Sequence, residues 1–171
     1  PPNLGYVGVT YVFHFDGLTW GPAEILQASD ASESATFGRS IATDGTTLAV
    51  GAPGRSLGQG GVYVFANGVG GWTQTQMITP TDVIQARAFG ISVDVSGDYL
   101  VVGAENDDQL GPYAGAAYVF KRVGGVWTQQ TKLTASDAEG GGGSTESYAA
   151  HFGLSVGIDG NRIVVGAHGQ D

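Results

Sequence analysis

Three segments of this chain are ruled to the same measure, and that repetition constrains its fold more than any other feature. Phe37-Gly38 is followed by Leu48-Ala49-Val50-Gly51-Ala52, Phe89-Gly90 by Leu100-Val101-Val102-Gly103-Ala104, and Phe152-Gly153 by Ile163-Val164-Val165-Gly166-Ala167. In each copy the glycine after Phe precedes the glycine of Gly-Ala by 13 residues. A fixed internal period is the mark of a repeat architecture, in which one supersecondary unit buries its apolar faces only against its neighbours.

A second ruler interleaves with the first. Tyr11, Tyr63 and Tyr118 each stand nine residues before Trp20, Trp72 and Trp127. Six residues past each Trp is an aliphatic (Leu26, Ile78, Leu133), and four further on an acid (Asp30, Asp82, Asp137). The runs Gly8–Phe13, Tyr63-Val64-Phe65 and Tyr118-Val119-Phe120 are β-branched and aromatic, so they read as strands. Phe15-Asp16-Gly17 supplies a hairpin turn, with a second strand expected from Trp20 to about Leu26. The Leu-Ala-Val-Gly-Ala runs are apolar on consecutive residues, which requires a sheet covered on both faces. Thirty glycines and six prolines without a collagen period suit an all-β chain rich in tight turns.

The unit is therefore four short antiparallel strands: A opening at Phe-Gly, B ending at Gly-Ala, C carrying Tyr-Val-Phe and D opening at Trp. Units recur every ~50–60 residues, near the period of propeller blades, and four-stranded sheets packed around an axis cover both faces. The expected fold is an all-β propeller. Residues 1–30 supply strands C and D of a composite blade, 31–82 and 83–137 are whole blades, and 138–171 supply strands A and B. Asn3–Gly8 is similar to Gln109–Gly115, so the first residues take up the B-to-C loop near where the last leave it. Three blades do not close a ring, since propellers have about four to eight. Two completions are expected: a two-fold homodimer forming a six-bladed ring with two composite blades, or further blades of a longer chain.

Composition narrows the partners. The net charge of −9 argues against nucleic acid and anionic membranes. No apolar run reaches the ~20 residues of a membrane helix. The absence of cysteine removes disulfides, thiolate metal sites and a Cys nucleophile. Pro1-Pro2-Asn3 reads as the start of a mature or trimmed chain.

The Phe-Gly and Gly-Ala(-Pro) positions, reinforced by Tyr-Val-Phe and Trp, resemble FG-GAP repeats, the blades of the integrin α-chain head and of many secreted propeller proteins. The resemblance spans nearly the whole chain. It implies an extracellular, secreted recognition or adhesion module that binds protein or glycan through its rim loops, with a structural scaffold or a lectin as alternatives. Integrin-type blades often hold Ca²⁺ in the A-to-B hairpin through alternating acids. Here those hairpins are Asp44-Gly45-Thr46, Ser96-Gly97-Asp98 and Asp159-Gly160-Asn161, too few carboxylates for the six to eight oxygens a calcium ion takes. No cofactor or metal is therefore expected.

Several residues stand out as candidates. Glu105, Asp107 and Asp108, in the acidic run Glu105–Asp108, read as a solvated rim turn or as a site for a cation or basic partner. Tyr113 and Tyr6 lie on loops, where ligands often bind. Asp94 replaces Ala42 and Gly157 of the other A strands and would face a central channel. Trp20, Trp72 and Trp127 recur at one position and read as blade packing. Asp30, Asp82 and Asp137 read as acceptors of backbone N–H bonds in a repeated turn. His14, His151 and His168 are scattered, without a metal-ligand spacing. No nucleophile elbow or phosphate loop is present, so no catalytic residue is assigned and the expected activity is not enzymatic.

Overall fold

The computed structural model describes residues 7–82, 87–136 and 150–168. Its strands are β1 (Thr10–Val12), β2 (Glu24–Leu26), β3 (Ser40–Thr43), β4 (Thr47–Gly51), β5 (Val62–Gly68), β6 (Gly71–Ile78), β7 (Ser92–Ser96), β8 (Tyr99–Ala104), β9 (Ala116–Val123), β10 (Val126–Leu133), β11 (Ser155–Asp159) and β12 (Arg162–Gly166). They form two four-stranded antiparallel sheets, β3-β4-β5-β6 and β7-β8-β9-β10, and two two-stranded ones, β1-β2 and β11-β12. This is the blade arrangement of a β-propeller: two complete blades flanked by a C-D pair and an A-B pair.

Each strand follows from its residues. β4 is buried along its whole length and β8 everywhere after Tyr99, as the unbroken apolar runs require. The β3–β4 turn closes on Asp44, whose Oδ1 accepts the N–H groups of Thr46 (2.9 Å) and Thr47 (2.7 Å). β6 and β10 each carry one unpaired residue against their C strands, Thr75 and Gln130, a bulge at the same repeat position. One expectation is corrected here. The strand read from Trp20 starts only at Glu24, with a lone Phe15–Trp20 bridge before it. Pro22 occupies the place at which Gln74 pairs with Phe65 in the next unit, and a proline has no N–H to pair.

Blade-to-blade packing explains both halves of the repeated motif. The glycines of Phe-Gly (Gly38, Gly90, Gly153) sit at φ +90 to +93°, in the region that side chains avoid. Their carbonyls face the Gly-Ala glycine of the preceding unit: a Cβ on Gly51 would stand 2.0 Å from the Gly90 oxygen, and one on Gly103 1.9 Å from that of Gly153. The first residue of strand A fastens the same carbonyl, Ser40 Oγ donating to Gly90 O (2.8 Å) and Ser92 Oγ to Gly153 O (2.7 Å).

The phenylalanine of each motif anchors the core. Phe37 meets the rings of Tyr63 and Phe65 edge-on at 5.4 and 6.2 Å, and Phe89 those of Tyr118 and Phe120 at 5.4 and 6.0 Å. Edge-to-face contacts at these distances are favourable beyond the area they bury. One apolar cluster joins β1–β2 to the first blade and another joins the first blade to the second. At the outer rim, Gln76 clamps both main-chain groups of Trp127 (2.9 Å each) and Glu24 accepts the N–H of Trp72 (3.0 Å).

Candidate recognition groove

The loops between strands B and C gather on one rim. The first runs from Ala52 to Gly61 and makes a single helical turn, Arg55–Gly58, with Ser56 and Leu57 in the left-handed region. The second runs from Glu105 to Gly115, with Tyr113 also left-handed at φ +57°. Each loop is stitched to the Phe-Gly turn of the following unit. Ala88 N–H donates to Gly58 O (2.8 Å) and Phe89 N–H to Gln59 O (3.2 Å); His151 N–H donates to Tyr113 O and Phe152 N–H to Ala114 O, both at 3.1 Å. Loops tied by main-chain bonds hold their side chains in place before any ligand arrives.

Between the two loops lies a groove of about 610 Å³, lined by Pro53, Ser56, Leu57, Gly58 and Gln59 on one wall and Asn106 and Tyr113 on the other. Arg87 and Ala88 complete its lining, and an adjoining recess of about 290 Å³ adds Asp108 and Pro112 to Arg87, Asn106 and Tyr113. Arg87 touches Asp108 only at 3.8 Å and remains mostly exposed, so its guanidinium keeps donors for another partner. One aromatic face, an exposed leucine, two carboxamides, a hydroxyl and a cation thus converge between blades.

Of the residues singled out from sequence, Tyr113 lines this groove and Asp108 its adjoining recess, whereas Glu105 lies on the loop outside both linings. Tyr6 lies outside the described residues. Asp107 is corrected. It is 1% exposed, its Oδ2 accepts from the Tyr118 hydroxyl and the Lys132 ammonium at 2.7 Å each, and its Oδ1 accepts the N–H of Gln109. Lys132 Nζ also reaches Asp82 Oδ2 (2.8 Å), which lies 3.0 Å from the Tyr118 hydroxyl oxygen. Burial first, then the Asp107 and Asp82 carboxylates, hold the Tyr118 phenol protonated far above its ordinary range. A carboxylate so occupied is unavailable to a rim ligand.

Asp82 and Asp30 are corrected in the same way, because their main partners are side chains rather than turn N–H groups. Asp30 accepts the Tyr63 hydroxyl and, at 2.8 Å, the Arg55 guanidinium. Burial opposes its ionisation, but these two donors outweigh it and hold Asp30 below the usual carboxylate range. Tyr63 is pushed up to about 12 by burial and then by Asp30. Asp137 lies outside the described residues.

Asp94 does not stand free in a channel. Its carboxylate turns sideways to accept the N–H of Ile158 (2.7 Å) and of its own neighbour Val95 (2.9 Å). Trp127 is buried under the Arg122 guanidinium at 5.2 Å, as blade packing requires, whereas Trp20 is exposed. The fold brings two of the three histidines together: the His151 and His168 rings lie 4.9 Å apart, with Tyr113 5.9 Å from His151.

Among the described residues no three His, Cys, Asp or Glu side chains gather as metal ligands would. At the first A-to-B hairpin the Asp44 carboxylate is consumed by its own turn. Burial there is outweighed by the Thr47 and Thr46 donors, which keep it ionised to lower pH than usual. No described helix is long and apolar enough to cross a membrane.

Comparison with known proteins agrees with the blade geometry. No curated protein matches the chain. The FG-GAP repeat family, in contrast, matches it three times, over residues 20–65, 72–120 and 127–171. With most of its length accounted for by those three matches, the chain belongs to the FG-GAP repeat family.

Proposed function

We propose that this propeller is a non-enzymatic, extracellular recognition module and that its ligand, a glycan, enters the groove between the two B-to-C loops. The observation that carries the reading is the convergence of Tyr113 with Asn106, Gln59, Ser56 and Arg87 in one inter-blade groove. Binding sites are concave, with an apolar surface and a few placed polar groups. An aromatic face in one groove with two carboxamides and a guanidinium suits the C–H faces and hydroxyls of a sugar ring. Protein ligands reach the same rim through the exposed Leu57, and the extracellular setting follows from the family's habit. The acidic net charge supports an uncharged partner or one carrying positive charge rather than an acidic polymer.

A glycan array probed with the intact chain tests this directly, with Asn106→Ala and Arg87→Ala as groove variants. Specific binding that drops about tenfold or more in either variant is expected, a loss typical of one removed polar contact in a formed site. An empty array, or binding indifferent to both substitutions, overturns the reading.

A further inference from the structure

Each Phe-Gly turn in this chain is bonded to the end of its own strand B. The N–H groups of Gly38, Gly90 and Gly153 donate to the carbonyls of Gly51, Gly103 and Gly166 at 3.1, 2.9 and 3.0 Å. This hairpin draws together the residue before Phe and the residue after Gly-Ala, which are 17 positions apart in every unit. In the first unit they are Thr36 and Pro53, and Thr36 Oγ1 accepts the N–H of Gly54, next to Pro53, at 3.2 Å. In the second they are Ala88 and Glu105. In the third both are histidines: the rings of His151 and His168 lie 4.9 Å apart. A repeated backbone feature therefore pairs two imidazoles that look unrelated in sequence.

His151 is fixed by its main chain. Its N–H donates to the Tyr113 carbonyl and its own carbonyl accepts the N–H of Leu154, both at 3.1 Å, with the backbone in the left-handed region at φ +48°. Its Nδ1 is buried and has no hydrogen-bond partner among the described residues. Buried polar atoms are nearly always bonded, so an orphaned ring nitrogen calls for an explanation. A metal ion beside it would be the missing partner, with the neighbouring imidazole as a second ligand.

The spacing of the rings suits such an ion. With metal–nitrogen bonds of about 2.0–2.1 Å, each ring centre lies roughly 3.2 Å from the ion. Centres 4.9 Å apart then subtend an angle of roughly 100° at the metal, between the octahedral and tetrahedral angles. The ring planes are tilted by 44°, so the pair is not a parallel stack.

We propose that His151 and His168 together bind a first-row transition dication of the zinc, nickel and copper class, with water in its remaining positions. Imidazole nitrogen suits these ions, whereas calcium and magnesium take oxygen ligands. No third His, Cys, Asp or Glu gathers with the pair among the described residues, so the protein's share of the site is a two-point chelate. The remaining histidine, His14, belongs to neither hairpin position and serves as an internal reference.

Zinc chloride and nickel chloride, titrated calorimetrically into the chain without a histidine tag, test this. One ion per chain binds, and His151→Asn and His168→Gln each weaken it by about tenfold or more, since even a change outside the ligand set costs that much. Asparagine tolerates the left-handed backbone at position 151, and His168 is exposed, so neither variant strains the fold. Excess calcium leaves the titration unchanged. In the unaltered chain zinc shifts the imidazole proton signals of His151 and His168 and spares those of His14, a readout that needs no variant. Absence of binding, binding that survives either substitution, displacement by calcium, or equal shifts at all three histidines overturns the proposal. The metal salt is the only probe, so the result stands apart from that of the glycan array.

Discussion

The two complete blades build the same polar node from opposite charges. In the first blade Asp30 takes the Tyr63 hydroxyl, and Arg55, from the B-to-C loop, neutralises it. In the second blade the place of Arg55 is held by Asp107, an acid, and the place of Met77 by Lys132, which reaches both Asp82 and Asp107. A sign change in the loop is thus answered by a cation on strand D. The first node carries one acid and one base on a partly exposed site. The second carries two acids and one base around a fully buried tyrosine. What the repeat preserves is the tyrosine at the centre and a cation within reach, rather than the residue that supplies it.

Removing the second cation is the largest way to break this equivalence. Lys132→Met leaves two carboxylates against one hydroxyl in a buried site, and should cost about 3–5 kcal/mol in urea unfolding. Rebuilding the first node inside the second, with Lys132→Met and Asp107→Arg together, should recover most of that loss and leave a deficit of about 1 kcal/mol. No recovery would show that the two nodes are not interchangeable. In the first blade Arg55→Met should cost only about 1 kcal/mol, since its pair with Asp30 is half open to water and screened. An equal cost at Arg55 and Lys132 would erase the contrast.

The smallest effects are in pH. Tyr63 is raised from 10.0 to about 12, so the folded state holds its proton more tightly than the unfolded chain. That contribution is complete below pH 10 and is lost as pH rises to about 12. Asp30 is shifted the other way: its contribution is complete above the ordinary carboxylate value of 3.8 and lost as pH falls through its depressed folded value. Tyr63→Phe should flatten the alkaline limb of a denaturation series. An unchanged slope between pH 10 and 12 would assign that limb to Tyr118 alone.

The blades were legible because their spacing is rigid. The glycine after Phe and the glycine before Ala are 13 residues apart in each copy because one main chain rests on the other there. The groove was legible only in part. Tyr113 and Asp108 stood out as loop residues, but Gln59 and Ser56 come from a different unit and meet them only through the packing of adjacent blades, and Arg87 reaches them from the connection that precedes Phe89. Asp107 was misread because four neighbouring polar residues look alike in sequence, whereas the fold turns one of them inward. The signal that would have found it lies across repeats: a charge reversal from Arg55 to Asp107 matched by Met77 to Lys132. The same reasoning applies to the histidines. His151 immediately precedes Phe152-Gly153 and His168 follows Gly166-Ala167, and the Gly153 N–H donates to the Gly166 carbonyl at 3.0 Å.

The seat of the Phe-Gly carbonyl against a bare Cα has a mechanical consequence. The angular step between wedges is dictated by peptide atoms, which do not change when side chains do. Outer strands and loops are therefore at liberty to drift in size and charge, as the two nodes have done, without altering the curvature of the array. A wedge transplanted from another member would mate correctly so long as it kept those few hydrogens in place of side chains. In such a design the skeleton sets the shape, and the surface remains available for evolution to rewrite.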